Sequence, residues 1–264
     1  MNQQVINEAA ARLERASATG TPCGPVRDLI GSEDIDSAYR VQSHNIERLL
    51  TDGRTRVGRK IGLTSPAVQK QLGVDQPDFG VLLDDMDCSN DARVDSTRLL
   101  QPKIEVEVAF LLSRDITEPV TAAAAPEFVS TAFAAFEIVD SRIANWDISL
   151  ADTVADNASS GLYVLGDALE RSRTPNLADV AMTMTADGEE VSNGKGADCL
   201  GSPWAALAWL ANVSLTYRAP LRAGEVILSG ALGPMVVVKP GSTYRASLSG
   251  IGDVAATFSS VPDR

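Results

Sequence analysis

The sequence predicts an α+β protein in which a small, mostly helical N-terminal region precedes a larger region of mixed β-structure. The N-terminal segments repeat apolar residues at helical spacing. Beyond about residue 75 most segments alternate apolar and polar residues, as half-buried strands do. We therefore divide the chain into an N-terminal region, residues 1–75, and a β-rich domain, residues 76–264.

Two N-terminal segments have the pattern of amphipathic helices. Residues 2–16 carry small and apolar side chains every three or four positions. Ser32 is a plausible N-cap for a second helix. The single histidine, His44, lies on this second helix, and no Ser or Cys nucleophile motif accompanies it, so we interpret it as structural.

Residues 55–64, TRVGRKIGLT, predict a strand within the N-terminal region. Lys60 and Gly62 would share one face, where the glycine leaves room beside the lysine for a ligand or another backbone. The alternative is a lysine whose ammonium reaches solvent. Ser65 and Pro66 then predict a short helix that ends at Gly73.

Residues 74–80, VDQPDFG, predict a loop because of their proline, glycine and aspartates. Asp78 in this loop could act as an acid or a base. It could equally bond its own backbone in an Asx-turn.

Two acids are set into the apolar segment 101–112, QPKIEVEVAFLL. Alternation places Glu105 and Glu107 on one face of a strand, with Cα atoms about 6.6 Å apart, and five apolar residues on the other. Buried, unpaired carboxylates cost several kcal/mol each, a cost that a bound divalent cation would remove. The alternative is an edge strand whose acids face water.

A third acid, Glu137, lies in a similar apolar segment at residues 131–142. Three carboxylates on neighbouring strands would supply the hard oxygen ligands that suit Mg²⁺ or Mn²⁺. Zinc is a poorer match because the chain has one His and three dispersed Cys. Glu137 could alternatively be a core acid paired with an arginine.

Polar residues are dense in the segment 145–161. Asp152 and Asp156 lie four residues apart, which is typical of a solvated helix face. Ser159 and Ser160 follow in a turn that offers hydroxyls and backbone N–H groups to an anion. Ordinary helix capping is the alternative reading of this turn.

The remaining chain is strand-rich. Asp187-Gly188 predicts a hairpin, and residues 202–217 predict a helix. Residues 225–234, EVILSGALGP, predict a buried strand followed by a Gly-rich turn whose backbone amides can approach a carboxylate. Two final strands are expected at residues 243–249 and 253–258.

Composition excludes some classes of partner. The 35 acidic and 23 basic residues give a net charge of -12, which argues against nucleic acid or an anionic membrane as the main partner. Three dispersed cysteines fit a reducing compartment. The N-terminus does not resemble a signal peptide, and no apolar run reaches about 18 residues, so a cytoplasmic location is expected.

Seven motifs follow one another across nearly the whole chain: GRKIGLT, VDQPDFG, QPKIEVEVAF, EIVDSRI, DTVADNASSG, SGALGP and GIGDVAATF. Together they resemble the 2-hydroxypenta-2,4-dienoate hydratases (2-keto-4-pentenoate hydratases) of aromatic meta-cleavage pathways, within the fumarylacetoacetase-like superfamily. Each motif alone is weak, whereas the joint match is specific. The resemblance implies a fumarylacetoacetase-like mixed β fold and a homo-oligomer based on pentamers.

The resemblance also implies roles for individual residues. The three acids that hold a divalent metal, Mg²⁺ or Mn²⁺, fall on Glu105, Glu107 and Glu137. The active-site lysine falls on Lys60 and the loop aspartate on Asp78. Both are candidates for proton transfer and water positioning, and their acid and base roles stay unassigned.

The substrate-contacting serine of these enzymes falls on Ser159 or Ser160, and the doublet leaves the choice open. With the backbone of Gly230 and Ala231, this turn would hold the substrate carboxylate. Ser229 stands where relatives often have threonine, a change that keeps the hydroxyl.

The resemblance implies the metal-dependent addition of water to a small 2-hydroxydienoate. It also makes an association with a pathway decarboxylase or aldolase an expectation to test. A decarboxylase of the same superfamily, acting on 2-oxohex-3-enedioate, is the nearest alternative, followed by its non-catalytic assembly partner. No additional arginine inside the motifs indicates a site for a second carboxylate. A C–C hydrolase is less expected because His44 lies outside every motif.

Overall fold

The computed structural model describes residues 2–65, 69 and 76–260. Within them the helices are α1 (Gln3–Thr19), α2 (Arg27–Ile30), α3 (Ile35–Thr51), α4 (Leu150–Ala155) and α5 (Pro203–Thr216). The strands are β1 (Arg56–Gly62), β2 (Asp78–Leu83), β3 (Lys103–Leu112), β4 (Val129–Val139), β5 (Ser160–Leu165), β6 (Leu169–Glu170), β7 (Ala181–Ala186), β8 (Glu189–Lys195), β9 (Val226–Leu228), β10 (Val236–Val237), β11 (Thr243–Leu248) and β12 (Gly252–Thr257). The predicted α+β class with N-terminal helices is confirmed. The helix predicted from Ser65 to Gly73 lies largely outside the described residues.

The strands form two sheets. The larger has eight strands in the order β2-β1-β9-β3-β4-β5, with β10 beside β3 and β6 beside β4, and the smaller has the order β12-β11-β7-β8. The predicted hairpin joins β7 to β8 through Asp187 and Gly188, whose φ angles of 50° and 92° suit a tight two-residue turn. The division near residue 75 stays a prediction; β1 and β2, on either side of it, pair with each other.

Strand β3 lies inside the large sheet, between β9 and β4. One of its faces is buried in the main core, and it carries Ile104, Val106, Val108, Phe110 and Leu112. Phe110 stacks on Trp204 of α5, with ring centroids 4.4 Å apart. The opposite face carries Glu105 and Glu107, so the predicted assignment of the two faces is confirmed and the edge-strand alternative is wrong.

Helix α3 packs against α1 and α4. Its N-cap is Asp34 rather than Ser32, because the Asp34 carboxylate accepts the Ser37 N–H at 2.9 Å. A carboxylate at this end also interacts favourably with the helix dipole. His44 is half-buried on this helix.

The acids of α4 are buried, so the solvated helix face predicted for them is wrong. Asp152 accepts the backbone N–H groups of Val26 and Arg27, each at 2.8 Å, and the Arg27 guanidinium at 2.7 Å. Asp156 forms an ion pair with Arg142 at 2.5 Å. A four-residue spacing cannot reveal partners that come from distant parts of the chain.

Replacing Asp152 by alanine is expected to lower the free energy of unfolding by about 3–5 kcal/mol, because it leaves the Arg27 charge and two amides without their buried partner. Asp147→Ala is the matched control, since Asp147 pairs with the same Arg27 but its side chain is 65% exposed. Its expected cost is below about 1 kcal/mol. Urea denaturation measures both, and equal costs would contradict the interpretation.

Within the described residues, none of the helices combines the length and apolarity needed to cross a membrane. The cysteines at positions 23, 88 and 199 are free, and the last two are buried.

Candidate metal and substrate site

The three predicted acids lie together on one face of the large sheet. Glu105 of β3 is directly opposite Glu137 of β4, and Glu107 follows two residues along on the same face. Each offers a carboxylate oxygen, and these oxygens lie within 4.8 Å of one another. All three side chains are buried, and Glu107 is fully inaccessible.

The cluster brings three buried carboxyl groups together with few hydrogen-bond partners, which disfavours their charged forms. Oε1 of Glu107 and Oε2 of Glu137 have no hydrogen-bond partner among the described residues. Burial, with a contribution from Glu137, raises the pKa of Glu105 to about 7. The same two causes hold the pKa of Glu107 well above its usual range. Three converging hard oxygens, in a cluster that also has unpartnered carboxylate oxygens, fit a divalent cation.

Lys60 of β1 is the cation beside these acids. Its Nζ lies 2.9 Å from Oε1 of Glu137, and both side chains are buried. Burial by itself would lower the pKa of Lys60, but Glu137, Asp78 and Glu105 together raise it above its usual value. The ion pair with Glu137 and the raised pKa both favour the ammonium form of Lys60. It does not reach solvent, and Glu137 pairs with this lysine rather than with an arginine.

Asp78 is the first residue of β2, so the loop predicted over residues 74–80 is wrong for its last three residues. It pairs directly with Gly62 of β1. A Cβ at Gly62 would lie 2.2 Å from Oδ1 of Asp78 and 3.5 Å from Nζ of Lys60. The room that the glycine leaves beside the lysine is thus filled by the Asp78 carboxylate.

The Asp78 carboxylate is buried and weakly hydrogen-bonded. Neither of its oxygens accepts a well-formed hydrogen bond among the described residues, although the Thr153 hydroxyl lies near enough to lower the pKa of Asp78. Burial raises the pKa of Asp78 to about 6, although the nearby Lys60 ammonium opposes the rise. A buried carboxylate that is weakly hydrogen-bonded and lies beside an ammonium ion can accept a proton from a bound molecule.

Gly62→Ala is expected to displace the Asp78 carboxylate, because the added methyl group would occupy the position of Oδ1. We expect kcat to fall about 10²-fold, the scale of a misplacement of about 1 Å, while metal affinity stays unchanged. Steady-state kinetics and Mn²⁺ binding measure the two effects. Gly24→Ala is the matched control, since a Cβ there would meet nothing within 4 Å; equal kinetics in both variants would contradict the interpretation.

The serine turn adopts an uncommon backbone conformation. Asn157, Ala158 and Ser159 have φ angles of 55°, 51° and 54°, a left-handed conformation that costs energy in non-glycine residues. Oγ of Ser159 lies 3.2 Å from Oγ1 of Thr153, whereas the Ser160 hydroxyl donates to the Asn157 carbonyl at 2.7 Å. Such strain persists only where the surrounding contacts hold the turn.

Those contacts come from β2. The Asn157 side chain accepts the Val81 N–H at 2.8 Å and donates to the Val81 carbonyl at 2.9 Å. Gly80, opposite Lys60, allows the close approach, since a Cβ there would lie 2.4 Å from the Asn157 carbonyl oxygen. The serine turn therefore lies against the strand pair that carries Lys60 and Asp78.

Gly230 contacts the acids more directly than the sequence predicts. Its N–H donates to Oε2 of Glu107 at 2.7 Å. Its φ of 103° is accessible mainly to glycine, and a Cβ would lie 2.3 Å from Cγ2 of Thr64. This N–H holds a candidate metal ligand, which leaves the neighbouring Ala231 N–H for the predicted contact with a substrate carboxylate.

Sequence reasoning missed Thr153. Its hydroxyl is buried, bonds to Ser159 and lies beside the Asp78 carboxylate. A threonine on a short helix has no spacing signal of its own. Only the proximity of α4 to β2, which arises from tertiary packing, indicates its role.

The sequence profile of the fumarylacetoacetate (FAA) hydrolase C-terminal family matches residues 85–259, and the chain belongs to this family. The matched segment includes the three clustered acids. Lys60 and Asp78 precede it, so the residues beside the acids come from a part of the chain that this profile does not cover.

Individual similar proteins indicate a narrower group of enzymes than the family profile does. The chain is 49% identical to a 2-keto-4-pentenoate hydratase of Paraburkholderia xenovorans, over 98% of this chain and 97% of that protein. It is 52% identical to 2-keto-4-pentenoate hydratase 2 of Dechloromonas aromatica, over 95% and 96% of the two chains. The 4-oxalocrotonate decarboxylase of Pseudomonas putida G7, solved with magnesium and adipate, is 29% identical with a TM-score of 0.93, over 98% of both chains. A second structure of that decarboxylase holds calcium and acetate.

Proposed function

We propose that this protein is a divalent-metal-dependent hydratase that adds water to 2-hydroxypenta-2,4-dienoate to give 4-hydroxy-2-oxopentanoate, in the meta-cleavage degradation of aromatic compounds. The observation that carries the proposal is the identity of about half, over nearly full length, to named 2-keto-4-pentenoate hydratases. The buried site supports it, because it combines three clustered acids that could hold a metal with the Lys60 ammonium and the Asp78 carboxylate.

Glu105, Glu107 and Glu137 would hold Mg²⁺ or Mn²⁺. When bound, the cation supplies Lewis-acid stabilisation of the negative charge that a 2-oxo acid develops during enolisation. The Gly230 N–H keeps Glu107 oriented. The Lys60 ammonium partly neutralises Glu137 from the other side, which leaves an anionic substrate less repelled by the site.

The proton transfers fall to Lys60 and Asp78. The dienol must gain a proton at C5 and lose the proton of its 2-hydroxyl group to become the α,β-unsaturated 2-oxo acid. Water then adds at C4, and a proton is added at C3. Lys60, as an ammonium ion, is the donor toward carbon at C5 and at C3. Asp78 accepts the proton that the 2-hydroxyl loses and then the proton that the attacking water loses, and each of them returns to the neighbouring Lys60 amine. Such transfers each contribute about 10²–10⁴-fold to rate.

The serine turn would hold the substrate carboxylate, and the hydrogen bonds favour Ser159 over Ser160. The Ser160 proton is used on the Asn157 carbonyl. Ser159 and Thr153 share one hydrogen bond in which either hydroxyl can be the donor. When Thr153 donates it, the Ser159 O–H is free to donate to the substrate. The Ala231 N–H is a second donor for the same carboxylate.

The nearest alternative is the decarboxylase reaction on 2-oxohex-3-enedioate. The decarboxylase structure superposes closely on this chain, but its identity of 29% is well below the 49–52% of the hydratases. The pentamer-based homo-oligomer and an association with a pathway decarboxylase or aldolase stay predictions, which sedimentation of the purified protein would test.

To test the proposal, metal-loaded protein is mixed separately with 2-hydroxypenta-2,4-dienoate and with 2-oxohex-3-enedioate. We expect rapid loss of the dienol absorbance of 2-hydroxypenta-2,4-dienoate, with 4-hydroxy-2-oxopentanoate as the product. Release of CO₂ from 2-oxohex-3-enedioate without hydration of the dienoate would assign the decarboxylase reaction instead. Absence of activity with both substrates would favour a non-catalytic assembly partner of the decarboxylase.

A further inference from the structure

Strand β2, which begins at Asp78, is at one edge of the large sheet. An edge strand normally leaves a row of unpaired N–H and C=O groups. Here side chains take the place of a neighbouring strand. The Tyr39 hydroxyl accepts the Phe79 N–H at 3.4 Å, and Nε2 of Gln42 donates to the Phe79 carbonyl at 3.0 Å. Two residues along, Asn157 satisfies both groups of Val81.

Gln42 has a second partner on the other side of the site. The same Nε2 donates to the Val154 carbonyl of α4 at 3.0 Å. The side chain is almost fully buried, and both amide hydrogens are used. One nitrogen on α3 therefore joins the carbonyl of Phe79, the residue after Asp78, to the carbonyl of Val154, the residue after Thr153.

We propose that Gln42 is a positioning residue that fixes Asp78 relative to the Thr153–Ser159 hydroxyl pair. The inference rests on the proposed function, because it takes Asp78 as the group that accepts a proton. Gln42 itself contacts neither the acids nor the serine turn through any described hydrogen bond. Its effect on the reaction is exerted through the two backbone segments that it joins.

Gln42→Met tests the proposal, since methionine matches the length of glutamine and cannot donate. We expect kcat to fall about 10- to 100-fold, because a shift of about 1 Å at a reacting group has an effect of this size. KM and Mn²⁺ affinity should stay near those of the wild type. The backbone amides of β2 and of α4 should exchange their hydrogens faster, because each segment loses a bond that holds one of its carbonyls.

Asn212→Leu is the matched control. The side-chain amide of Asn212, on α5, accepts the Val120 N–H at 2.8 Å and donates to the Val120 carbonyl at 3.0 Å, and it has no described hydrogen bond to the acids, to Asp78 or to the serine turn. Its loss removes two hydrogen bonds, as Gln42→Met does. We expect a similar decrease in Tm in both variants, and a lower kcat only in Gln42→Met.

A double-mutant cycle separates positioning from general destabilisation. If Gln42 acts through Asp78, adding Gln42→Met to Asp78→Asn should lower kcat little further. A further loss equal to that of the single variant would overturn the proposal, and so would an unchanged kcat in Gln42→Met. Should the wild type decarboxylate 2-oxohex-3-enedioate rather than hydrate the dienoate, the proposed function fails, and the same cycle is measured with that substrate. Unchanged hydrogen exchange throughout β2 and α4 would overturn the inference whichever substrate is used.

Discussion

Replacing Glu107 by glutamine is expected to abolish metal binding and hydratase activity while making the metal-free protein more stable. Glutamine keeps the oxygen that accepts the Gly230 N–H and removes one charge from the acid cluster. Substituting a residue that only orients a metal ligand lowers metal affinity by about 10–100-fold. Loss of a ligand itself should therefore lower metal affinity by at least about 10²-fold.

The gain in stability follows from the raised pKa of Glu107. A carboxyl group whose folded pKa lies above its unfolded value stabilises the fold when protonated, and that stability is lost as the pH rises through the folded pKa. Glutamine is neutral at every pH, so at neutral pH the Glu107→Gln variant keeps the stability that ionisation of Glu107 removes from the wild type. A gain on the order of 1 kcal/mol raises Tm by about 2–4 °C in a chain of this size, and the gain should shrink as the pH falls toward the ordinary glutamate pKa.

Calorimetry of chelator-treated protein measures this shift, and Mn²⁺ titration measures the affinity. Glu225→Gln is the control, because Glu225 is also buried but pairs with Arg56 at 3.0 Å. That variant should lose stability and keep its metal. Wild-type metal affinity in Glu107→Gln would show that Glu107 is not a ligand.

Replacing Lys60 by methionine is expected to have the opposite effect on stability and an equally large effect on activity. The ion pair with Glu137 is lost, and three buried acids remain without a cation. Breaking a buried pair costs about 3–5 kcal/mol, part of which bound metal should restore. We expect kcat to fall about 10²–10⁴-fold, because a proton donor is removed.

Thermal unfolding with and without Mg²⁺, together with kinetics at saturating metal, would measure both effects. Lys103→Met is the matched control from the same face of β3. Its Nζ lies over the Trp146 ring, 4.1 Å from the centroid, an interaction worth about 0.5–1 kcal/mol at an exposed site. Wild-type kcat in Lys60→Met would remove Lys60 from the mechanism.

Much of the site could be predicted from local pattern. Alternation in β3 identifies which face carries Glu105 and Glu107, because side-chain direction in a strand depends only on position parity. The absence of a side chain at Gly62 correctly indicates that another group can lie beside Lys60. Pattern cannot say what fills that space, since the Asp78 carboxylate reaches it only after β1 and β2 pair.

The features that sequence reasoning missed are those produced by long-range packing. Asp152 and Asp156 have the spacing of a solvated pair, yet partners elsewhere in the chain bury both. Gln42 is one polar residue on an amphipathic helix. Its two carbonyl partners lie 37 and 112 residues away, and no periodicity reports such a contact.

The central claim is that three acids on β3 and β4 hold the divalent metal that hydration requires. The most direct test adds Mn²⁺ stepwise to chelator-stripped protein while the absorbance of 2-hydroxypenta-2,4-dienoate is followed. We predict that metal-free protein is inactive, that activity rises until about one equivalent of metal per chain is bound, and that Glu107→Gln stays inactive throughout. Full activity in the stripped protein, or a wild-type titration in Glu107→Gln, would contradict the claim.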